Sequence, residues 1–129
     1  MFFRYNLWGI LWGLFILVLI GLPGENIPDV SLWRLLQPDK IFHSVIFGIF
    51  VLLLIVGFKK QHTYINLHYH AKWHAVVFGI IYGVITELLQ LIIFTHRTAD
   101  IIDIIADSIG CLLGLLTFNF IYWKEKVNN

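Results

Sequence analysis

The polar tetrad Thr95-His96-Arg97-Thr98 interrupts a long apolar stretch between Gly79 and Gly114, and this arrangement limits the fold more than any other part of the chain. Each flanking run is long enough to cross a hydrocarbon core of roughly 30 Å as a helix. In lipid the backbone must satisfy its own hydrogen bonds, so two helices joined at the tetrad are the expected form. Yet these runs carry Glu87, Gln90, Asp100, Asp103 and Asp107. Ionisable groups at membrane depth are costly unless paired or neutralised, and their presence marks a functional site.

Residues equally far from Arg97 on an antiparallel hairpin lie at similar depth. Glu87 and Asp107 are each ten residues away, which is roughly 15 Å of helix, and so share one level. By the same count Gln90 falls near Asp103, and Gly83 is level with Cys111. Gly79/Gly83 and Gly110/Gly114 are small-xxx-small pairs, which let membrane helices approach closely. Asp100, Asp103, Asp107, Gly110 and Gly114 follow helical steps of three and four, as do Gly79, Gly83, Glu87 and Gln90. The two faces are expected to meet, with Gly83 and Gly110 at the contact. Two carboxylates at one depth repel, so Glu87 and Asp107 are expected to share a proton or hold a cation.

The rest of the chain follows the same pattern. Apolar spans at about residues 7–22, 40–58, 72–94 and 100–123 predict an all-α integral membrane protein of one domain, a small bundle of four transmembrane helices with a polar hairpin between the third and fourth. The first span has a basic start and an apolar core, as a signal peptide does. No small-residue cleavage site follows, and a retained anchor is expected. Residues 25–38 predict a polar linker with a short interfacial helix near 31–36, where Trp33 suits the headgroup level. Asp39 is a natural N-cap for the second span, with Lys40 and His43 in its first turns. The connector from Gln61 to His74 holds His62, His68, His70 and His74. It reads as a solvated loop, not helical before Ala71, and not as a zinc site, since no cysteine lies near.

With 59% hydrophobic and 13% charged residues, a soluble domain is excluded. A net charge of +1 without a basic stripe gives no support to nucleic-acid binding, and the single cysteine, Cys111, excludes an intramolecular disulfide. With four spans, the termini and the 59–74 loop share one side and hold six of the nine Lys and Arg residues. The expectation is an inner (cytoplasmic) membrane protein with both termini cytoplasmic and Arg97 outside.

Several pieces stand in a specific order: Asp39-Lys40-x-x-His43, Glu87-x-x-Gln90, Arg97-x-x-Asp100-x-x-Asp103 and Asp107-x-x-Gly110-x-x-x-Gly114. In order, spacing and placement at span ends they resemble the VanZ-like membrane protein family, over roughly residues 38 to 118. Two positions depart from that pattern: Asp107 stands where the family is expected to have asparagine, and Thr86 where an acid often precedes the glutamate. The resemblance implies a cell-envelope membrane protein. The family's namesake is associated with resistance to glycopeptide antibiotics such as teicoplanin.

A structural role accounts for Asp100 as an N-cap and for Asp103 in a first turn. It accounts poorly for Glu87 and Asp107, which lie about two turns deeper. The functional reading is an outward-opening polar pocket for a membrane lipid or lipid-linked envelope precursor. In it Asp39, Lys40, Gln90, Arg97, Asp100 and Asp107 bind, Arg97 and Lys40 taking an anionic head. If chemistry follows, His43, Glu87 and Asp103 are the candidate acid–base groups. No cofactor or resident metal is expected. Two other readings stay open: proton or cation movement through the carboxylates, and a scaffold or subunit role in a homo-oligomer or membrane complex.

Overall fold

The structure is a computed structural model in which the described residues are 1–21, 38–93 and 101–127, with the side chains of 38, 39 and 123–127 left aside. Five helices follow one another: α1 (Phe2–Ile20), α2 (Pro38–Lys60), α3 (Ile65–Tyr69), α4 (Ala71–Ile93) and α5 (Ile101–Val127). Among the described residues there is no strand. Four of the helices are long and apolar enough to cross a membrane, over Phe2–Ile20, Lys40–Lys60, Ala71–Ile93 and Ile101–Tyr122. These are the four spans expected from the apolar runs, and the chain is a multi-pass membrane protein. The interfacial helix expected at 31–36, with Trp33, lies outside the described residues.

α2 is the centre of the bundle, with α1, α4 and α5 packed around it. Its apolar residues Phe47, Phe50, Val51, Leu54, Ile55 and Phe58 form most of the core, closed by Val76 of α4 and by Cys111 and Phe118 of α5. α1 runs antiparallel to α2. Phe2 meets the Tyr64 ring beyond the end of α2, Gly9 lies against Leu54, and the Trp12 indole donates to the Ile46 carbonyl at 3.0 Å. The Tyr82 hydroxyl of α4 donates to the Gly13 carbonyl at 2.6 Å, which fixes the other flank of α1. Large apolar side chains such as Ile81, Leu88, Ile92, Leu112 and Leu116 point outward, as membrane-crossing helices require where they meet lipid chains.

α1 begins five residues before the expected start, because nothing in Phe2-Phe3-Arg4-Tyr5 breaks a helix and the buried Asn6 amide donates to the Phe2 carbonyl at 3.0 Å. The histidine connector also differs from the expected loop, since α3 forms within it. Gln61 organises this turn. Its side chain is fully buried; Nε2 donates to the carbonyls of Phe58 and Tyr64 at 3.3 and 3.0 Å, and Oε1 accepts from the Tyr64 N–H at 2.8 Å. One glutamine thereby ties the last turn of α2 to the residue that starts α3.

The tightest packing joins α2 to α5, which run parallel. A Cβ at Gly110 would collide with the Ser44 carbonyl oxygen and stand 2.7 Å from the Ser44 Cα, and a Cβ at Gly114 would collide with the Gly48 carbonyl oxygen. Gly110 and Gly114 therefore face the second span, which corrects their expected place against the third. The reason is angular. At about 100° per residue, Gly110 and Gly114 lie within about 20° of Asp103, whereas Asp107 and Cys111 are turned about 40° and 80° from it. The glycines thus face α2, Cys111 faces α4, and Asp107 stands between them, touching both. Gly79 and Gly83 do lie against α5: a Cβ at Gly79 would stand 2.8 Å from the Cys111 Sγ, and one at Gly83 3.1 Å from the Asp107 Cβ.

Candidate functional site

The polar groups collect at the end of the bundle where α2 and α5 begin and α4 ends. Positive partial charge at the two helix starts favours carboxylates there, and Asp103 occupies the first turn of α5. Lys40, at the start of α2, is placed against that dipole and is compensated by an ion pair, its Nζ lying 3.1 Å from Asp103 Oδ1. The side chains of the pair are 21% and 13% exposed, enough to weaken water's competition without stranding either charge. Among the described contacts Lys40 is thus held at the α2–α5 seam by a carboxylate.

One turn deeper, His43 Nδ1 stands 2.9 Å from Asp107 Oδ1. Where Asp107 is ionised, its carboxylate accepts and the ring nitrogen facing it carries the hydrogen. Asp107 is 1% exposed. Beside it the Ser44 hydroxyl donates to the Ala106 carbonyl at 2.8 Å, a third link between α2 and α5. Asp107, expected as a binding group, stands in contact with the candidate acid–base histidine.

The third and fourth spans are offset from the counted register. Gly83 stands opposite Asp107, so Glu87 lies one turn, about 5.4 Å, nearer the Lys40–Asp103 end than the symmetrical count predicts. Close contact at Gly79 and Gly83 sets the register; counting from a hinge treats both helices as upright. Glu87 and Gln90 are both buried, as is Thr86, whose hydroxyl donates to the Gly83 carbonyl at 2.8 Å. Arg97 and Asp100 lie outside the described residues, as does the side chain of Asp39.

Ser44 was not among the residues expected at the site. Its signal was present in the sequence, since Ser44 and Gly48 form a small-xxx-small pair that complements Gly110/Gly114. The connector histidines behave otherwise. His70 Nδ1 lies 2.9 Å from the Asn66 side-chain oxygen, and His74 Nδ1 2.9 Å from the His70 carbonyl. Among the described residues no three His, Cys, Asp or Glu side chains are placed to hold a metal.

Four membrane-crossing helices with an ionisable cluster buried at one end of their seam define a class of small polytopic membrane proteins. Residues 15–122 match the VanZ/LLP1 family, and the chain belongs to it. It is also similar to the Uncharacterized protein C11E3.10 of Schizosaccharomyces pombe, at 29% identity over 92 residues, covering 69% of this chain and 51% of that protein. The chain thus spans about half the length of the curated relative it matches. No solved structure matches it.

Proposed function

We propose that this protein is a cell-envelope membrane protein whose polar end opens outward and takes the head of an amphiphilic envelope molecule, a membrane lipid or lipid-linked precursor. The observation that carries the reading is the pair of links Lys40–Asp103 and His43–Asp107 at one end of an apolar bundle, with Glu87 and Gln90 buried on the facing helix. Lys40, exchanging Asp103 for an incoming phosphate or carboxylate, would hold the head, joined by Arg97. Asp39 and Asp100 would complete the rim, and apolar helix faces would carry the tail. With Nδ1 of His43 committed to Asp107, proton exchange with a substrate falls to Nε2, the role of an oriented general base. Resistance to glycopeptide antibiotics is the physiological setting suggested by the family's namesake.

The test is the identity of what the purified protein retains. Protein extracted from its own membrane is expected to carry an amphiphile detectable by mass spectrometry, and Lys40→Met, at unchanged abundance, is expected to lose it. Retention of the same amphiphile by Lys40→Met would remove the basis of the reading. A scaffold role is favoured by a different observation: the cluster's links also join α2 to α5 directly. For a scaffold, substitutions at Lys40, His43 and Glu87 would lower abundance in step with activity, whereas for a binding site activity falls first.

Orientation has its own expected result. A cysteine replacing Thr98 should react with an impermeant thiol reagent on intact cells, and one replacing the exposed Thr63 only after permeabilisation. The reverse pattern would turn the site inward.

A further inference from the structure

At the opposite end of the bundle, between the end of α2, the start of α4 and the last turns of α5, lies an open groove of about 630 Å³. Three of its lining residues are lysines, Lys59, Lys60 and Lys72, and none of its described lining residues is a carboxylate. Phe118 and Val56 supply an apolar wall, and Asn119 and Tyr122 offer an amide and a hydroxyl. Two of the lysines approach one aromatic ring: the Nζ atoms of Lys59 and Lys72 lie 5.9 and 5.7 Å from the centroid of Phe118. The ring is 4% exposed and backed by Tyr122 at 4.4 Å between centroids, so it is a fixed platform.

Lys59 and Lys60 have a structural explanation, because they occupy the last turn of α2, where the helix dipole favours cations. Lys72 has none. It sits in the first turn of α4, against the dipole, and that turn contains no acid. Lys40 is placed in the same way at the start of α2 and is answered there by Asp103. Among the described lining residues around Lys72, the charged groups are two more lysines, beside the Phe118 ring and the neutral Asn119 and Tyr122. Like charges gathered in an open groove beside apolar wall, at the end of membrane-crossing helices, call for an anion that brings its own hydrocarbon.

We infer that this groove is a binding site for an anionic phospholipid, its phosphate held by Lys59, Lys60 and Lys72 and its first acyl carbons lying on Val56 and Phe118. The site is separate from the polar end of the bundle, and its assignment does not depend on the function proposed there.

Native mass spectrometry of the detergent-solubilised full chain, offered equal amounts of dioleoylphosphatidylglycerol and dioleoylphosphatidylcholine, tests this. The native protein is expected to retain the anionic lipid about tenfold more than the zwitterionic one, and each lysine removed should lower that preference roughly fivefold until parity is reached. The variants are Lys60→Gln alone and Lys59→Gln/Lys60→Gln/Lys72→Gln together, with circular dichroism to confirm helical content. If the triple variant misfolds, Lys60→Gln still decides the matter, since Lys60 is exposed at the helix end. Arg4→Gln, at the same end of the bundle but outside the groove, is expected to leave the preference unchanged. Equal retention of the two lipids by the native protein, or an equal loss on Arg4→Gln, would overturn the site. Displacement of the bound lipid by millimolar inorganic phosphate would assign the groove to a free anion and overturn the lipid.

Discussion

Alanine at Gly110 is expected to remove most folded protein from the membrane. The added methyl would collide with the Ser44 carbonyl oxygen and press on the Ser44 Cα. Both are backbone atoms of a core helix, so no side chain can rotate away, and α2 and α5 must separate. Forced insertion into a packed interface of this kind costs about 3 kcal/mol, a large part of the stability of a small bundle. Separation would also open the Ser44–Ala106 and His43–Asp107 links on either side. Gly9→Ala is the matched control. There the nearest atom is the Leu54 Cδ2, at 3.1 Å. A methyl at the end of a flexible side chain can yield, and alanine adds helix propensity, so the net effect should stay within about 1 kcal/mol. Membrane abundance and thermal unfolding in detergent report both. Equal stability of Gly110→Ala and the native protein would mean that α2 and α5 do not pack as described.

The second large effect belongs to the deeper pair. Removing Asp107 leaves the His43 ring N–H without its buried acceptor, which costs about 1–3 kcal/mol. Asp107→Ala should fall in that range, and Asp107→Asn, which keeps an acceptor for His43, should lose only about 1 kcal/mol. A cycle built from His43→Ala, Asp107→Ala and the double variant should return a coupling of about 1–3 kcal/mol, the double variant being less unstable than the two singles predict. Strict additivity would show that the 2.9 Å contact carries no energy. Activity measured on the same proteins separates a catalytic use of the pair from a structural one. If His43 acts as a base oriented by Asp107, then Asp107→Asn loses activity well beyond its small loss of stability.

The four spans were legible because apolar length is a one-dimensional property, and lipid admits few ways of folding such runs. The acidic character of the hairpin was equally plain, and so was the use of Gly79 and Gly83 against the last helix. What the chain did not disclose was which helix answers which. Asp103 and Asp107 stand one turn apart on α5 and look like one face in a pattern of threes and fours, yet they meet different residues of α2, Lys40 and His43. Gly110 was assigned to the wrong neighbour for the same reason: a stripe about 100° wide can be divided between two partners, and periodicity does not record the division. Gln61 was passed over because a glutamine in a connector is ordinarily solvated. Its burial follows from backbone groups of Phe58 and Tyr64 on either side of the turn, which no sequence pattern displays.

The parallel pairing of α2 with α5 has a consequence for how the protein is made. Its partners are 62 to 64 positions apart in the chain, with the whole of α4 synthesised between them. A ribosome that has delivered α2 has yet to translate the surface that closes over Ser44 and Gly48, and the lysine and histidine at its start wait for carboxylates that do not exist. Until α5 arrives, the second helix lacks Asp103, Asp107 and the glycine surface that packs closest against it. The face left without them is a conspicuous surface for the chaperones and proteases that survey membranes. A chain broken off ahead of residue 101 would announce its own incompleteness, and assembly would be proofread by the same chemistry that the finished bundle conceals.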